Sequence, residues 1–337
     1  MSKSIVLGVL GAVVISLALW SIAGAGEVSN VATAGAQWLK IGVGARSVAM
    51  GSAGTVVAKD ATGLYWNPAT VAALKQKNIS LCHIDWIADI SYDFMAMTLP
   101  LDHASTLGFS LGVLSMGKMD VTTVDEPDGT GDTFGAGAFS AGVSYSRYLT
   151  DRFLAGMTVK YVREHIWDLH SSAVAVDVGT LYWTGFRSLR FGMSLSNFGT
   201  DLQFHGSQLD YAADVDNNIY TTDVDTEIKS TAYPLPLIMR FGLAYDLSCG
   251  PAGRVTLATD AILSSDQKEQ AVGGVEYAYN DFIYARAGYK LRSDEAGLTA
   301  GIGLKVPLGL SILNIDYAWA DMGRLSNAHR LSAGIRF

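Results

Sequence analysis

Apolar and polar residues alternate along long stretches of this chain from residue 78 to its C-terminus. In the segment STLGFSLGVLSMG, which begins at Ser105, large apolar residues alternate with small or polar ones. The segments FLAGMTVKYV from Phe153 and LTAGIGLKV from Leu298 repeat this pattern. Successive side chains of a β-strand point to opposite faces, so the alternation predicts strands with one apolar and one polar face.

The length of these strands narrows the fold class. About 14 strands are predicted, beginning near residues 78, 90, 105, 133, 153, 172, 188, 233, 253, 268, 281, 296, 309 and 327. Most run for about 10–14 residues, whereas strands in globular proteins average ~5–6 and a tilted strand crosses a membrane in about 9–11. The alternative, a soluble sandwich, would need the apolar faces of these long strands to form one dry core.

The composition also favours a membrane protein over a soluble one. Charged residues make up 17% of the chain and hydrophobic residues 49%, against roughly 25% charged residues in ordinary soluble domains. No segment after the N-terminus carries the roughly 20 unbroken apolar residues of a membrane helix. A closed barrel is the other structure that can cross a bilayer, because all its backbone groups are paired. The sequence therefore predicts an all-β, antiparallel, transmembrane outer-membrane barrel of about 14 strands over residues 78–337.

The polar face of the predicted strands contains charges of both signs among glycine and serine. A lipid-facing apolar side and a mixed, polar lumen are typical of membrane barrels. The charged residues that we expect to face the lumen are Lys160, Asp177, Arg190, Arg240, Asp260, Glu276, Arg286, Lys290, Lys305, Asp316 and Arg336.

Both ends of the chain indicate export to an outer membrane. Residues 1–25 are interpreted as a cleaved signal peptide, with Lys3 before an apolar core and the A-x-A-like site Ala23–Ala25 after it. An uncleaved anchor, or cleavage after Ala34, are the alternatives. The last residues alternate and end at Phe337, a pattern similar to the signal read by the barrel assembly machinery. Short turns on one side and long connections over about 119–132 and 199–233 fit the two sides of an outer-membrane barrel.

The segment 26–77 does not alternate and is predicted to be a hatch, or plug, with short helices inside the barrel. About 14 strands enclose more space than side chains of this size can fill, and non-strand backbone at membrane depth needs surrounding protein or water. Asn67 is a good helix N-cap and Pro68 suits the first helical position, which predicts a short helix over Ala69–Leu74. We expect Arg46 to pair with Asp177, Asp260 or Glu276.

This segment also carries a resemblance to a known family. The run QWLKIGVGARSVAMGSAG, followed by AKDATGLYWNPA, resembles the N-terminal motif of PorV/PorQ outer-membrane proteins, a branch of the FadL-like (OMPP1) barrels. SNFG at Ser196–Gly199 resembles a further family segment. The motif positions are Trp38, Leu39, Lys40, Ile41, Gly42, Gly44, Ala45, Arg46, Met50, Gly51, Asp60, Tyr65, Asn67, Pro68 and Ala69.

The resemblance implies a barrel of 14 strands with an N-terminal hatch and two competing functions. PorV-like relatives serve type IX protein secretion, so one expectation is a component that receives or shuttles exported proteins and contacts translocon subunits. FadL-like relatives take up hydrophobic compounds, so the alternative is a hatch-gated transporter for a small fatty-acid-like ligand. A structural barrel is a third possibility. The aromatic residues that we expect to bind partners on the outer loops are Phe198, Phe204, Tyr211, Tyr220 and Tyr233.

Other classes of function find little support in the residues. The net charge of −8 and the lack of a basic stripe argue against nucleic-acid binding. No H-E-x-x-H, Walker or C-x-x-C motif occurs, so no enzyme activity and no cofactor are expected. Asp214, Asp216 and Asn218 form half of a calcium loop, but Ile219 stands where glycine is needed, so a metal site there is at best weak. Cys82 and Cys249 could form one bridge.

Overall fold

The computed structural model describes residues 31–213, 224–293 and 296–337. The predicted signal peptide, the weak calcium candidates Asp214, Asp216 and Asn218, and Tyr220 lie outside these residues. Within the described residues, fourteen strands close into an antiparallel barrel, which confirms the predicted fold class. The barrel strands are β1 (Asn78–Asp85), β2 (Ser91–Pro100), β3 (Ser105–Ser115), β6 (Ala136–Thr150), β7 (Phe153–Ile166), β8 (Leu169–Trp183), β9 (Arg190–Gly199), β12 (Ile238–Cys249), β13 (Gly253–Ser264), β14 (Gln267–Tyr279), β15 (Ile283–Leu291), β16 (Leu298–Leu308), β17 (Ser311–Asp321) and β18 (Asn327–Arg336).

Two connections contain small hairpins of their own. β4 (Met119–Asp120) pairs with β5 (Thr133–Phe134) between β3 and β6. β10 (Asp210–Ala213) pairs with β11 (Val224–Glu227) between β9 and β12. Both connections emerge at the same end of the barrel, which we call the external end because long loops are external in membrane barrels.

The barrel closes between its first and last strands. Along β1 and β18 the register runs from Asn78 opposite Arg336 to Asp85 opposite His329. The two Cys residues are both free thiols, with Cys82 buried on β1 and Cys249 exposed at the end of β12.

The barrel wall has an apolar outer face and an inner face of mixed polarity. Large apolar side chains such as Val143, Met157 and Ile302 point outward and are exposed. Their neighbours on the strands point inward, where Ser144, Thr158 and Asp177 are buried. An apolar outer face is what lipid requires of a spanning barrel. Among the described residues, no helix is both long and apolar enough to span a membrane.

Residues 31–77, which we call the N-terminal segment, pack against the inward faces of the strands. The segment contains a 3₁₀ turn (Gln37–Lys40), a helix (Ala45–Ala49), a helical turn (Gly63–Trp66) and a 3₁₀ helix (Pro68–Ala73). The Ala45–Ala49 helix contacts β15–β18, and the Pro68–Ala73 helix contacts β6, β7 and β8 on another part of the wall.

The predicted Asn67 cap and the short helix after it are both present. The Asn67 side chain accepts a hydrogen bond from the Ala69 amide, and Pro68 occupies the first turn. The helix runs over Pro68–Ala73 and has 3₁₀ rather than α geometry. Six residues make two turns at three residues per turn, and the backbone is extended again at Leu74.

Candidate functional site

A chain of four charged side chains joins the N-terminal segment to the barrel wall. Arg46 donates from Nε and Nη2 to the two carboxylate oxygens of Glu276, each at 2.8 Å. Arg286 donates to the same carboxylate at 2.7 Å and to Asp316 at 2.5 Å. Of the three carboxylates that the sequence left open for Arg46, the structure therefore selects Glu276. The cluster is buried, and two-pronged contacts between Arg and a carboxylate fix orientation as well as position.

Other expected lumenal charges are also paired. Lys160 contacts Asp177 at 2.7 Å, and Arg190 contacts Asp246 at 2.9 Å. Sequence reasoning missed Asp246, although it follows Arg240 at the even spacing that marks one face of β12. Asp260 accepts a hydrogen bond from the Thr55 amide at 3.0 Å instead of pairing with Arg46.

The end of the lumen opposite the long loops contains a charged cavity of about 160 Å³. Lys305 and Arg336 line it together with Lys59 and Asp60 from the N-terminal segment. Arg46 forms part of its lining, so the charged chain described above lies at the inner boundary of this cavity.

Close backbone contacts hold the N-terminal segment against β14 and β15. A Cβ added at Gly288 would lie 2.0 Å from the Gly51 amide nitrogen. A Cβ at Gly274 would lie 2.3 Å from the Met50 carbonyl oxygen. Gly51 itself has a φ of +73°, which favours glycine. Glycine is thus needed on both sides of this contact.

Aromatic and amide side chains of the motif bind the segment to itself and to the wall. Asn67 donates from its amide to the carbonyls of Thr55 and Thr180, each at 2.9 Å. Trp66 donates to the Val43 carbonyl at 2.9 Å, and Tyr65 donates to the Leu39 carbonyl at 3.0 Å. The motif residues are therefore mainly structural contacts that fold the segment into its compact form.

The external end of the segment borders an outward-opening depression, which we call the external groove. Trp38 donates from its indole to Glu164 on β7 at 2.9 Å, and the Tyr233 hydroxyl donates to the same carboxylate at 3.2 Å. The cavity measures about 440 Å³. Its lining is mostly apolar or small: Ala32, Thr33, Ala34, Gly35, Ala36, Trp38, Leu114, Met116, Ala136, Gly137, Ala138, Glu164, His165, Ile166, Phe204 and Tyr233.

The structure brings together two of the five aromatic residues expected to bind partners. Phe204 and Tyr233 line the external groove, with their ring centroids 6.0 Å apart. Phe198 instead projects from β9 and is 64% exposed, since a register shift in the β8–β9 pairing precedes it. Tyr211 belongs to β10, and Tyr220 lies outside the described residues. Sequence reasoning missed the role of Trp38 and Glu164 in this groove, which join positions far apart in the chain.

Comparison with known proteins places this geometry in a family. The model of the family described as "Type IX secretion system protein PorV" matches residues 25–261. No curated protein matches the chain. The toluene transporter TbuX of Ralstonia pickettii is similar in structure with a TM-score of 0.56 and 14% identity, over 88% of this chain and 97% of that one.

Two further structures have the same fold. The toluene transporter TodX of Pseudomonas putida gives a TM-score of 0.54 at 13% identity, over 86% of this chain and 96% of that one. The monoaromatic hydrocarbon channel CymD gives 0.55 at 12% identity, over 88% and 97%. At such identities the likeness establishes the fold alone, which is that of an outer-membrane barrel. The matched family is one of secretion and not of enzymes. Because its model covers more than half of the sequence, this chain belongs to the PorV family of type IX secretion system proteins.

Proposed function

We propose that this protein serves type IX secretion by receiving exported proteins at its external groove. The observation that carries the proposal is the groove itself, an outward-opening, mostly apolar cavity of about 440 Å³. Apolar concave surfaces with a few polar groups are typical binding sites. Glu164 supplies the polar group and already accepts bonds from Trp38 and Tyr233, so the groove favours apolar side chains of a polypeptide.

The anchoring of the N-terminal segment supports this role. Arg46, the Asn67 amide and the Gly51 contact fix the segment to the wall below the groove. An N-terminal segment fixed below the external groove suits a protein that holds another protein at its outer surface, because the binding surface then needs little rearrangement. In this proposal the partners are exported proteins and translocon subunits.

Site-specific crosslinking tests the proposal. A photoreactive amino acid at Phe204 in the groove is expected to crosslink to a reporter protein exported by the type IX pathway. The matched control is the same amino acid at Ala88, an exposed position in the β1–β2 connection, which does not line the groove. Equal crosslinking at both positions, or none at Phe204, would contradict the proposal.

Uptake of a small hydrophobic molecule is the second candidate, favoured by the apolar lining of the same cavity. The similar structures TbuX and TodX are described as toluene transporters. Toluene binding by the purified barrel, followed by calorimetry, distinguishes the two functions. Saturable binding that disappears in an Ala136→Trp variant would favour transport, whereas retained secretion without toluene binding would favour the first function.

Recognition of the last strand by the barrel assembly machinery is part of the same proposal. Phe337 follows β18, which closes the barrel against β1, and its amide donates to the Lys77 carbonyl at 3.1 Å. Phe337→Ala is expected to lower the amount of barrel in the outer membrane. Unchanged amounts in fractionated membranes would argue against a role for this residue in assembly.

A further inference from the structure

Three cationic side chains point into the external third of the lumen, at similar distances from the external end of the barrel. Arg240 is the third residue of β12, Lys290 is the last but one of β15, and Arg330 is the fourth of β18. These positions all lie near the external ends of their strands. Two strands lie between β12 and β15, and two between β15 and β18, so the three positions are spread over half of the wall. Their long side chains therefore converge from different directions.

None of these cations forms a salt bridge among the residues that the structure describes, although the charge of Arg240 acts on the Asp260 carboxylate. Arg240 is 4% exposed and Arg330 is 3% exposed. Arg240 Nε and Arg330 Nη1 are buried and lack any hydrogen-bond partner.

The contacts that these side chains do make leave their charge uncompensated. The Arg240 guanidinium lies 5.8 Å from the ring centroid of Tyr65 and 5.4 Å from that of Trp66. Arg330 lies 5.2 Å from the ring centroid of Trp86 and donates from Nε to the Gly42 carbonyl at 3.1 Å. Faces of aromatic rings attract cations but carry no net charge.

Two lumenal carboxylates, Asp177 and Asp260, make hydrogen bonds to groups other than these cations. Asp177 binds Lys160 and the Asn197 amide. Asp260 lies opposite Gly242, one inward-facing position farther from the external end than Arg240, and accepts a hydrogen bond from the Thr55 amide. The charges of Arg240 and Arg330 both act on the Lys290 ammonium group. One carboxylate beside three cations leaves an excess of positive charge.

We propose that Arg240, Lys290 and Arg330 form a binding site for a small oxyanion, a carboxylate or a phosphate. Buried cations in a lumen are favourable only when an opposite charge or a set of acceptors compensates them. A guanidinium with free N–H groups supplies the geometry that carboxylate and phosphate oxygens match. The tyrosine and tryptophan rings around the cations would border the rest of the ligand. This site is separate from the external groove and does not depend on the secretion role.

Calorimetry on the full barrel in detergent tests the site, with inorganic phosphate and acetate as probes in a buffer of low ionic strength. Saturable binding of at least one probe is expected, and the preferred probe identifies the oxyanion. Lys290→Met is the first variant because Lys290 makes no side-chain hydrogen bond in the described structure. Loss of one charge-assisted contact is expected to weaken binding about tenfold or more.

Lys305→Met is the matched control, since it removes the same charge from the lumen at the opposite end. It is expected to leave anion binding unchanged, and Arg240→Gln provides a second variant if the first assembles poorly. The heat-dependent shift of the folded barrel in electrophoresis verifies assembly of each protein. Absence of saturable binding in the wild type, or equal weakening by Lys290→Met and Lys305→Met, would overturn the proposal.

Discussion

Two groups of buried charges in the same lumen differ in how they are compensated. Near the end opposite the long loops, Arg46, Glu276, Arg286 and Asp316 form one continuous chain of ion pairs. In the external third, Arg240 and Arg330 are equally buried but make no ion pair among the described residues. A barrel of this width can thus carry both kinds of site in one lumen.

The paired cluster is suited to anchoring the N-terminal segment, whereas the unpaired cations are suited to binding a ligand. A fully paired cluster holds one arrangement of its members, and removal of one member leaves a buried charge without compensation. A cluster of unpaired cations contributes nothing comparable to the fold and is free to hold a ligand. We therefore expect changes in the paired cluster to affect the structure, and changes in the external third to affect binding.

Deletion of Gln37–Leu74 is expected to have the largest effect. This region fills the space between β15–β18 and β6–β8, so the barrel without it should contain a wide aqueous path. Single-channel conductance in planar bilayers is expected to rise well above that of the full chain. An unchanged conductance would show that the segment does not close the lumen.

Arg46→Met is the strongest single change expected. It leaves Glu276 with Arg286 alone, and breaking a buried pair costs about 3–5 kcal/mol. The free energy of unfolding in denaturant, measured on the barrel in detergent, should fall by this amount. Arg187→Met removes the same group from an exposed turn, where changes stay within about 0.5 kcal/mol. Similar losses in the two variants would remove the distinction between paired and exposed charges.

Gly288→Ala tests the backbone contact beside the paired cluster. The new methyl group would lie 2.0 Å from the Gly51 nitrogen, and overpacking of this kind costs about 1–3 kcal/mol. Gly273→Ala is the control, because its Cβ would meet its nearest atom at 3.7 Å. Proteolysis of the N-terminal segment should become faster in Gly288→Ala only. Equal rates for both variants would argue that the wall adapts easily.

The rim pair between Lys40 and Asp266 should have the smallest effect, and it should depend on pH. Burial acts to raise the pKa of Asp266, but hydrogen bonds from Lys40, Ser264 and Gln37 outweigh it and hold the pKa below its ordinary value. A lowered native pKa stabilises the fold above the ordinary value of about 3.9, and this stability is lost as the pH falls through the native pKa.

Lys40→Met is accordingly expected to lower the free energy of unfolding at neutral pH by up to about 1 kcal/mol. The difference from the wild type should shrink as the pH falls through the native pKa of Asp266. A difference that stays constant with pH would assign the loss to packing of the Lys40 side chain and not to its charge.

Much of the barrel could be predicted because the alternation of apolar and polar residues is a local sequence pattern. Alternation fixes which residues face the lumen, and the predicted strand starts lie within about five residues of the observed ones over all fourteen barrel strands. The largest difference is at β12, which begins at Ile238 and not near 233, because residues before it run along the rim and Tyr233 pairs with Leu202.

The contacts of the N-terminal segment were less predictable because they join distant parts of the chain. The choice of Glu276 over Asp177 and Asp260 depends on where the Ala45–Ala49 helix lies against β15–β18. The external groove joins Trp38 to Glu164 across 126 residues, and no local pattern marks such a pair. The outward direction of Phe198 follows from a register shift, which alternation alone cannot reveal.

The Ala45–Ala49 helix has a consequence for the order of assembly. It precedes every strand, yet its partners β15–β18 are the last strands of the chain. The hydrogen bond from the Ala45 amide to Ser332, for example, spans 287 residues. Contacts of such long range form late in folding, because loop closure must come first. This helix is synthesised before every barrel strand, yet it cannot make its final contacts until the last strands are present.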